Sequence, residues 1–381
     1  MPRKLIQYST QLIDNNDIKA VTSALKSPYL TQGPKVAEFE SKVARYCGVN
    51  YSVAMNSGTS ALHGACFAAG IKKGDEVITS PITFVASANC ILYCGGTPVF
   101  ADVDEDTALI SAEQIKEKIT PRTKAIIPVD YAGHPCDMDE IRRIAKKNDL
   151  FVIEDAAHSM GAAYNGKKVG SLADMTILSF HAVKHITTGE GGMVLTNNKD
   201  LYDNLIKFRT HGITRNVSGD GPWYYEMQDL GYNYRLTDIQ CALGISQLKK
   251  LDTFIKIRRR IAAAYKAKLS DLKEISLPTE RTNVRSSYHL YPVRLKSRRS
   301  IANKREIFQS LRSAGIGVNV HYIPVPLQPY YRNKFGYKTG DFPAAEAFYQ
   351  SEISLPIHQK MTSDDISFVI SAVKRMLKKY S

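Results

Sequence analysis

The chain has few features that would place it in a membrane or around a structural metal. Its six cysteines are scattered along 381 residues without a CxxC pair, and a metal site would need further ligands close to one of them. No run approaches the roughly 18 apolar residues of a membrane-spanning helix. The opening segment MPRKLIQYSTQLIDNND lacks the apolar core of a secretion signal. We therefore expect a soluble, cytoplasmic protein without a metal.

Acidic residues are also too few to balance the basic ones, which leaves a formal charge of +14. Such an excess suits either nucleic acid or small anionic substrates. The basic clusters IKIRRR, KSRRS and KRMLKK are short and are not interleaved with aromatic residues, as an RNA-binding surface would require. A non-catalytic, basic nucleic-acid-binding regulator is thus the distant alternative, and attraction of a phosphorylated substrate is favoured.

Apolar, β-branched runs alternate with helical patterns from about residue 50 onward. Strands are predicted at 51–55, 75–80, 97–103, 123–130, 150–156, 175–180 and 192–197, and helices at 60–70, 86–96, 112–119 and 138–149. This alternation predicts an α/β fold, with a mostly parallel sheet between helices and a site at the carboxyl ends of the strands. A single long helix is predicted at 242–269. We expect a large domain with an N-terminal arm at 1–250 and a smaller C-terminal α/β domain at 251–381.

A Ser-Gly-Thr-Ser turn lies in MNSGTSALHGA, directly before a predicted helix. Backbone N–H groups and the positive end of the helix dipole make such a turn a site for an anion. Thr59 and Ser60 are equally suitable as N-cap residues. The turn alone therefore leaves helix capping and phosphate binding open.

The strand in VIEDAAH places Glu154 and Asp155 at its carboxyl end. Alternation along a strand points the two side chains to opposite faces of the sheet. A carboxylate here can pair with a cation or a protonated ring nitrogen, and His158 follows one short turn later. A capping aspartate and a core histidine are the alternative interpretation.

The segment SFHAVKHITTGEGG (179–192) begins with Ser179 at a strand end and places Lys184 five residues later. No helical or strand pattern runs through 184–192. Partial burial at a strand mouth would lower the pKa of Lys184 and make it a nucleophile for a carbonyl. The glycines would let the backbone turn tightly and approach a cofactor. By itself, a lysine in a loop is also compatible with a solvated surface charge.

Taken together, these three features predict a site for pyridoxal 5'-phosphate (PLP). The turn would hold the phosphate, and Asp155 would keep the ring nitrogen protonated. Lys184 would hold the aldehyde as a Schiff base. Asp155 and Lys184 are the predicted catalytic residues.

The chain resembles the DegT/DnrJ/EryC1/StrS family of sugar aminotransferases over nearly its whole length. The matching motifs are NSGTSAL, SPITFVASAN, GGTPVFADVD, VIEDAAHSMGA, SFHAVKHITTGEGG, NYRLTDIQCALGISQL, HYIPV and FPAAEAFYQSEISLPIH. The resemblance implies the type I fold of PLP-dependent transferases, as in aspartate aminotransferase. Some relatives are dehydratases with histidine in place of the lysine, so Lys184 favours transamination.

The resemblance also implies contacts to PLP and an obligate homodimer with shared active sites. The implied contacts are Gly58, Thr59 and Ser179 at the phosphate, Phe84 against the ring, Asp155 at the ring nitrogen, His158 near the ring hydroxyl, Lys184 at the aldehyde, and Asn233 reaching the phosphate across the dimer interface.

Within the family, the N-terminal segment, TGEGG, SSYHLYPV and HYIPV are similar to the branch that acts in pseudaminic acid synthesis. This implies a UDP-linked 4-keto-6-deoxy-N-acetylhexosamine as substrate and L-glutamate as amino donor. The implied substrate contacts are Tyr8, Pro28, Tyr29, Leu30, Thr31, Ser57, Ser179, Arg235, His321, Tyr322, Ile323 and Pro324. An aminotransferase for a different nucleotide-linked keto sugar is the alternative, and HYIP also fits ordinary packing around a proline turn.

Overall fold

A seven-stranded sheet forms the centre of the fold in the computed structural model, which describes residues 5–215 and 221–380. Shorter strands pair in small sheets outside it. In chain order the strands are β1 (Tyr51–Met55), β2 (Glu76–Thr79), β3 (Thr97–Phe100), β4 (Thr123–Ile127), β5 (Phe151–Asp155), β6 (Ala163–Tyr164), β7 (Lys167–Lys168), β8 (Met175–Ser179), β9 (Gly192–Thr196), β10 (Ile213–Thr214), β11 (Glu226–Met227), β12 (Ile275–Ser276), β13 (Val284–Arg285), β14 (Tyr291–Leu295) and β15 (Glu352–Leu355).

The strand order in the central sheet is β1-β9-β8-β5-β4-β2-β3. Strand β9 is antiparallel to both of its neighbours, and the other adjacent pairs are parallel. The strands consist largely of buried residues, as expected where helices cover both faces of a sheet. The predicted α/β fold with a mostly parallel sheet is confirmed.

The helices connect these strands and continue through the C-terminal part of the chain. They are α1 (Asn15–Leu25), α2 (Pro34–Cys47), α3 (Gly58–Ala68), α4 (Ala86–Tyr93), α5 (Ala112–Lys118), α6 (Met138–Lys147), α7 (Lys199–Arg209), α8 (Asp238–Leu248), α9 (Leu251–Leu269), α10 (Arg298–Ala302), α11 (Lys304–Ser313), α12 (Pro329–Phe335), α13 (Pro343–Ser351) and α14 (Ser363–Tyr380). Two short 3₁₀ turns lie at Tyr131–Gly133 and Val325–Leu327.

The prediction of one continuous helix at 242–269 was wrong. Helix α8 ends at Leu248 and α9 begins at Leu251, although no glycine or proline marks the break. At the turn, Lys250 Nζ lies 2.5 Å from Asp17 Oδ2, and Leu251 is fully buried. The turn thus follows from contacts with α1 that are distant in sequence, which a local helical pattern does not contain.

Helix α9 joins the two main apolar cores of the protein. Its first residues, such as Leu251 and Phe254, pack in the core beside the central sheet. Its later residues, such as Ile261 and Tyr265, pack in a second core with β14, β15 and α14. Residues beyond 250 therefore contribute to both cores, and the division into domains 1–250 and 251–381 stays a prediction.

Candidate active site

A cavity of about 560 Å³ opens at the carboxyl ends of β5 and β8. It collects most of the cofactor contacts predicted from sequence and some of the substrate contacts. The predicted residues in its wall are Tyr8, Ser57, Gly58, Thr59, Phe84, Asp155, His158, Ser179, Lys184, His321 and Tyr322. The cavity thus unites the turn, the carboxylate and the lysine that the sequence presents separately.

The turn before α3 is capped by Ser57, not by Thr59 or Ser60 as one interpretation of the sequence held. Ser60 N–H donates to Ser57 Oγ at 3.0 Å, and Ser57 N–H donates to Ser60 Oγ at 3.0 Å. Thr59 is therefore left at the cavity wall with the first N–H groups of the helix. A β-carbon added to Gly58 would lie 3.2 Å from Ser179 Cβ, so this turn and the end of β8 are in close contact.

The Asp155 carboxylate is buried at the end of β5 and faces the cavity. Ser87 Oγ donates to Asp155 Oδ2 at 2.6 Å, and Ala157 N–H donates to Oδ1 at 3.2 Å. Burial raises the pKa of Asp155, whereas these donors and the charge of Lys184 lower it. The neighbouring Glu154 is turned elsewhere and accepts from Thr176 Oγ1 at 2.7 Å, in agreement with the predicted alternation.

Lys184 lies in the loop that connects β8 to β9. Phe180 N–H donates to Gly191 O at 2.8 Å, Thr188 N–H donates to Phe180 O at 3.0 Å, and Lys184 N–H donates to His181 O at 2.9 Å. These bonds fold the loop back on itself. Burial lowers the pKa of Lys184 to about 8, and the negative charge of Asp155 opposes this shift. The amine is therefore reactive at a lower pH than a surface lysine.

The glycines at the end of this loop are explained by close backbone packing. A β-carbon on Gly192 would lie 2.2 Å from Ser57 O and 2.7 Å from Gly58 N. A β-carbon on Gly191 would lie 2.3 Å from Thr188 Oγ1. Gly192 thus allows β9 to approach the turn at Ser57, which was not foreseen from the sequence.

Three buried histidines stand in a row beside the lysine. The ring centroids of His158 and His289 are 4.4 Å apart, and those of His185 and His289 are 5.4 Å apart. Ser287 Oγ donates to His158 O at 3.2 Å, and His185 Nε2 donates to Ser287 O at 3.2 Å. Burial holds the pKa of each imidazole well below its usual range, so all three are neutral.

Several predicted residues do not reach the cavity of this chain. They are Pro28, Tyr29, Leu30, Thr31, Asn233, Arg235, Ile323 and Pro324. Leu30 and Thr31 contact the chain shortly after Arg235, because Asp238 N–H donates to Leu30 O at 3.0 Å and Thr31 pairs with Thr237. Phe84 lies at the cavity wall with its side chain largely exposed. The roles of all these residues stay predictions.

Other cavity residues were missed by the reasoning from sequence. Ser87 donates a hydrogen bond to Asp155, the ring of His289 contacts that of His158 at a tilt of 38°, and Asn319 lies beside His321. Each comes from a segment that is distant from its partner in the chain, so no local motif marks it. The only available sign of Ser87 in the sequence was that its hydroxyl lies in the motif SPITFVASAN, close to Phe84.

The cavity fits PLP on its own chemistry. It provides N–H and hydroxyl donors for a phosphate, a buried carboxylate for a ring nitrogen and a lysine with a lowered pKa. His158 Nδ1 is buried and has no hydrogen-bond partner among residues 5–215 and 221–380. Buried polar atoms are normally paired, so this nitrogen is consistent with a polar group brought by a ligand.

The chain belongs to the DegT/DnrJ/EryC1/StrS aminotransferase family, whose sequence profile matches residues 11–374. It is therefore a PLP-dependent sugar aminotransferase with the type I transferase fold. Two structures of the sugar aminotransferase Spr1654 from Streptococcus pneumoniae, in PLP and PMP (pyridoxamine phosphate) forms, are 32% and 33% identical to it. Their TM-scores are 0.93 and 0.94, and they cover 99% of this chain and 100% of their own.

Individual relatives carry names of particular enzymes. The chain is 42% identical to the UDP-4-amino-4,6-dideoxy-N-acetyl-beta-L-altrosamine transaminase of Campylobacter jejuni, over 98% of each chain. It is 38% identical to the GDP-perosamine synthase of Caulobacter vibrioides, over 99% of each. The structure of Helicobacter pylori PseC, an aminotransferase of pseudaminic acid biosynthesis, is 35% identical with a TM-score of 0.93 and covers 99% of this chain and 100% of its own.

Two further features bear on the sequence predictions. No helix within the described part of the chain is both long and apolar enough to cross a membrane. Among those same residues, no group of three or more histidine, cysteine, aspartate or glutamate side chains is arranged to hold a metal ion.

Proposed function

We propose that this enzyme transfers the amino group of L-glutamate to C4 of a UDP-linked 4-keto-6-deoxy sugar. The substrate is UDP-2-acetamido-2,6-dideoxy-β-L-arabino-hex-4-ulose, and the product is UDP-4-amino-4,6-dideoxy-N-acetyl-β-L-altrosamine, in pseudaminic acid biosynthesis. The observation that supports amino transfer is the meeting of Asp155, Lys184 and the Ser57–Thr59 turn at one cavity. The choice of sugar is supported by the likeness to the Campylobacter transaminase and to PseC.

In this proposal Lys184 and Asp155 carry the proton chemistry. PLP, when bound, supplies an aldehyde that carries the amino group between the two substrates and a ring that accepts electrons. Lys184 Nζ, with a pKa lowered to about 8, takes up and returns a proton at the reacting carbons as base and then as acid. The Asp155 carboxylate keeps the ring nitrogen protonated and so stabilises negative charge that develops nearby.

The remaining residues bind and orient. Gly58, Thr59 and Ser179 hold the phosphate at the positive end of α3, and Phe84 and His158 contact the ring. We infer a homodimer in which Asn233 of one protomer reaches the phosphate site of its partner, with 28–31 and Arg235 at the same boundary. This inference is supported by the exposure of Tyr29 and Leu30 and by the contact between Leu30 and Asp238.

A second candidate is an aminotransferase for another nucleotide-linked keto sugar. This second candidate is supported by the similarity to GDP-perosamine synthase, which extends over 99% of each chain. The same catalytic pair serves both candidates, because the nucleotide and the sugar hydroxyls are read by other groups.

A substrate panel tests the choice. Purified protein is incubated with L-glutamate and a set of UDP- and GDP-linked 4-keto sugars. The product is identified by mass spectrometry, and NMR gives the configuration at C4. We expect amino transfer to the UDP-linked 2-acetamido-4-keto sugar. Turnover of only GDP-linked sugars would support the second candidate and contradict the first.

The role of Lys184 is tested by covalent trapping. Borohydride should fix the cofactor to Lys184 in the wild-type protein, and a peptide map locates it. Lys184→Ala should be colourless and inactive. Lys146→Ala, which removes an exposed lysine of α6, is the matched control and should behave as wild type. A Lys184→Ala protein that transaminates at the wild-type rate would contradict the assignment.

A further inference from the structure

His321 is held on both its backbone and its ring within the wall of the cavity. Its N–H donates to Glu352 Oε2 at 2.9 Å, and its carbonyl oxygen accepts from Tyr131 Oη at 2.6 Å. On the ring, Nδ1 lies 2.8 Å from Ser354 Oγ, and Nε2 lies 3.3 Å from Asn319 Nδ2. The surrounding groups therefore decide which ring nitrogen carries the proton.

A buried carboxylate determines whether Nδ1 of His321 carries a proton. Glu352 is fully buried, and its Oε1 accepts from Ser354 Oγ at 2.5 Å. A serine hydroxyl has one proton to donate. Because that proton goes to Glu352, Ser354 Oγ has to accept at its contact with His321, and Nδ1 is the protonated nitrogen. Burial raises the pKa of Glu352 to about 7, whereas the hydrogen bonds from Ser354 and from the His321 N–H and the charge of Lys304 oppose this shift. At pH 8 the carboxylate is therefore mostly ionised, as this arrangement requires.

The contacts of Nε2 also indicate that the proton of His321 is on Nδ1. Asn319 Oδ1 accepts from the N–H of Val320 at 2.9 Å, which fixes the orientation of the amide. Its Nδ2 is then the atom that faces the ring of His321, and an amide nitrogen only donates. Nε2 of His321 must therefore present its lone pair.

This arrangement gives the cavity a neutral acceptor. Burial and the charge of Lys184 lower the pKa of His321 to about 3, so the ring carries no charge. His321 and Asn319 both line the cavity, and a hydroxyl that replaces their 3.3 Å contact can donate to His321 Nε2 while it accepts from Asn319 Nδ2. Lys184 lines the same cavity, so this pair lies near the reacting amine.

We propose that Glu352 and Ser354 are positioning residues, which hold His321 in the Nδ1–H tautomer so that Nε2 accepts a hydrogen bond from the sugar hydroxyl next to the reacting carbonyl. The tautomer follows from the protein alone. The identity of the hydrogen-bonding partner rests on the proposed function, in which the carbon next to C4 that bears a free hydroxyl is C3.

The tautomer is measured directly by ¹⁵N NMR on the holoenzyme labelled with [¹⁵N]histidine at pH 8. The signal of His321 is identified by its loss in His321→Gln. We expect a protonated Nδ1 in the wild type. In Glu352→Gln the amide keeps an oxygen for the His321 N–H and turns its NH₂ to Ser354 Oγ, which then donates to Nδ1. The proton should therefore move to Nε2, because the 2.8 Å contact of Nδ1 with Ser354 Oγ is the closer of the two and the 3.3 Å contact of Nε2 with Asn319 Nδ2 gives way.

Glu346→Gln is the matched control, because Glu346 is a buried carboxylate that accepts from the N–H groups of Gly340 and Phe342. It should leave the His321 signal unchanged. A wild-type His321 protonated at Nε2, or an unchanged signal in Glu352→Gln, would overturn the assignment. This NMR measurement requires no sugar substrate, so it tests the tautomer of His321 separately from the proposed function.

Kinetics test the consequence for the substrate. The glutamate and keto-sugar half-reactions are followed separately by the absorbance of the bound cofactor. Glu352→Gln and Ser354→Ala should slow the keto-sugar half-reaction by about tenfold to a hundredfold, as for the loss of one hydrogen bond in a buried site. Ser354→Thr, which keeps the hydroxyl, should restore much of that rate.

A 3-deoxy substrate completes the test. In the wild type the 3-deoxy substrate should slow the keto-sugar half-reaction by a similar factor. In Glu352→Gln, whose rate is already reduced, the 3-deoxy substrate should slow this half-reaction little further. Equal losses in both half-reactions would make the residues merely structural and contradict the proposal. If the wild type turns over no keto sugar, the proposed function fails while the NMR result still decides the tautomer.

Discussion

The hydrogen bond between Ser87 and Asp155 gives a sharp test of the cofactor site. Ser87 lies in α4, and its hydroxyl donates to Asp155 Oδ2 at 2.6 Å. Both side chains are almost completely buried, so water does not replace the bond readily. Ser87→Ala removes this donor and leaves the N–H of Ala157, at 3.2 Å, as the remaining donor in the cavity wall.

The size of the effect follows from the charge on the acceptor. A hydrogen bond to an ionised group contributes roughly 1.5–3 kcal/mol. This bond stabilises the ionised form of Asp155, and about 1.4 kcal/mol corresponds to one pH unit. In the proposed function Asp155 acts as a carboxylate, so activity should be lost as the pH falls through its pKa. Ser87→Ala raises that pKa, and the acidic limb of the rate profile should move upward by about one to two pH units.

The assay is the pH dependence of kcat/KM for L-glutamate, with the cofactor content measured at each pH. Ser80→Ala is the control, because Ser80 is equally buried but its hydroxyl forms hydrogen bonds with the backbone of Ile82. It should leave the acidic limb in place. An acidic limb at the wild-type position in Ser87→Ala, at equal cofactor content, would refute the reasoning.

Three further predictions concern the same site. Because burial raises the pKa of Asp155, the stability linked to its protonation is lost as the pH rises through that pKa. Asp155→Asn should therefore stabilise the cofactor-free protein in urea at pH 8 by roughly 0.5–2 kcal/mol yet release PLP on dialysis, and a lower urea midpoint would contradict this. Lys184 reacts as the neutral amine, so the rate of PLP uptake by the apoprotein should rise with pH and level off above about 8; a midpoint near that of a surface lysine would contradict the lowered pKa. Gly192→Ala forces a β-carbon to 2.2 Å from Ser57 O, which should cost about 1–3 kcal/mol in thermal or urea unfolding and weaken PLP binding, whereas unchanged stability and affinity would count against the packing argument.

The strand ends that form the candidate cofactor site could be predicted, because the pattern of apolar residues marks each strand. Apolar runs mark β5 and β8, and the residues that follow each run lie at the same edge of a parallel sheet. Asp155, Ser179 and Lys184 therefore meet in space although 24 to 29 residues separate the first from the others. The alternation within β5 also distinguished Asp155, which faces the cavity, from Glu154, which does not.

The partners of these residues could not be predicted in the same way. Ser87, His289 and Ser354 contact Asp155, His158 and His321 across 68, 131 and 33 residues of chain. Such contacts depend on how helices and loops pack on the sheet, which a local pattern does not encode. The break between α8 and α9 has the same origin, since Lys250 turns toward Asp17 of the N-terminal helix.

The electrostatics of the site explain why PLP and this cavity belong together. Burial shifts the pKa values of Asp155 and Lys184 in opposite directions, each toward the neutral form, and each charge partly restores the other. The imidazoles beside them are neutral and so provide no counter-charge. In the proposed complex the protonated ring nitrogen would be the charged partner of Asp155, and Lys184 would be bonded to the aldehyde in place of a free ammonium group. Pairing would offset the desolvation cost of the Asp155 carboxylate, and Lys184 would no longer be buried as a free ammonium, so we expect PLP to raise the unfolding temperature more in the wild type than in Asp155→Asn.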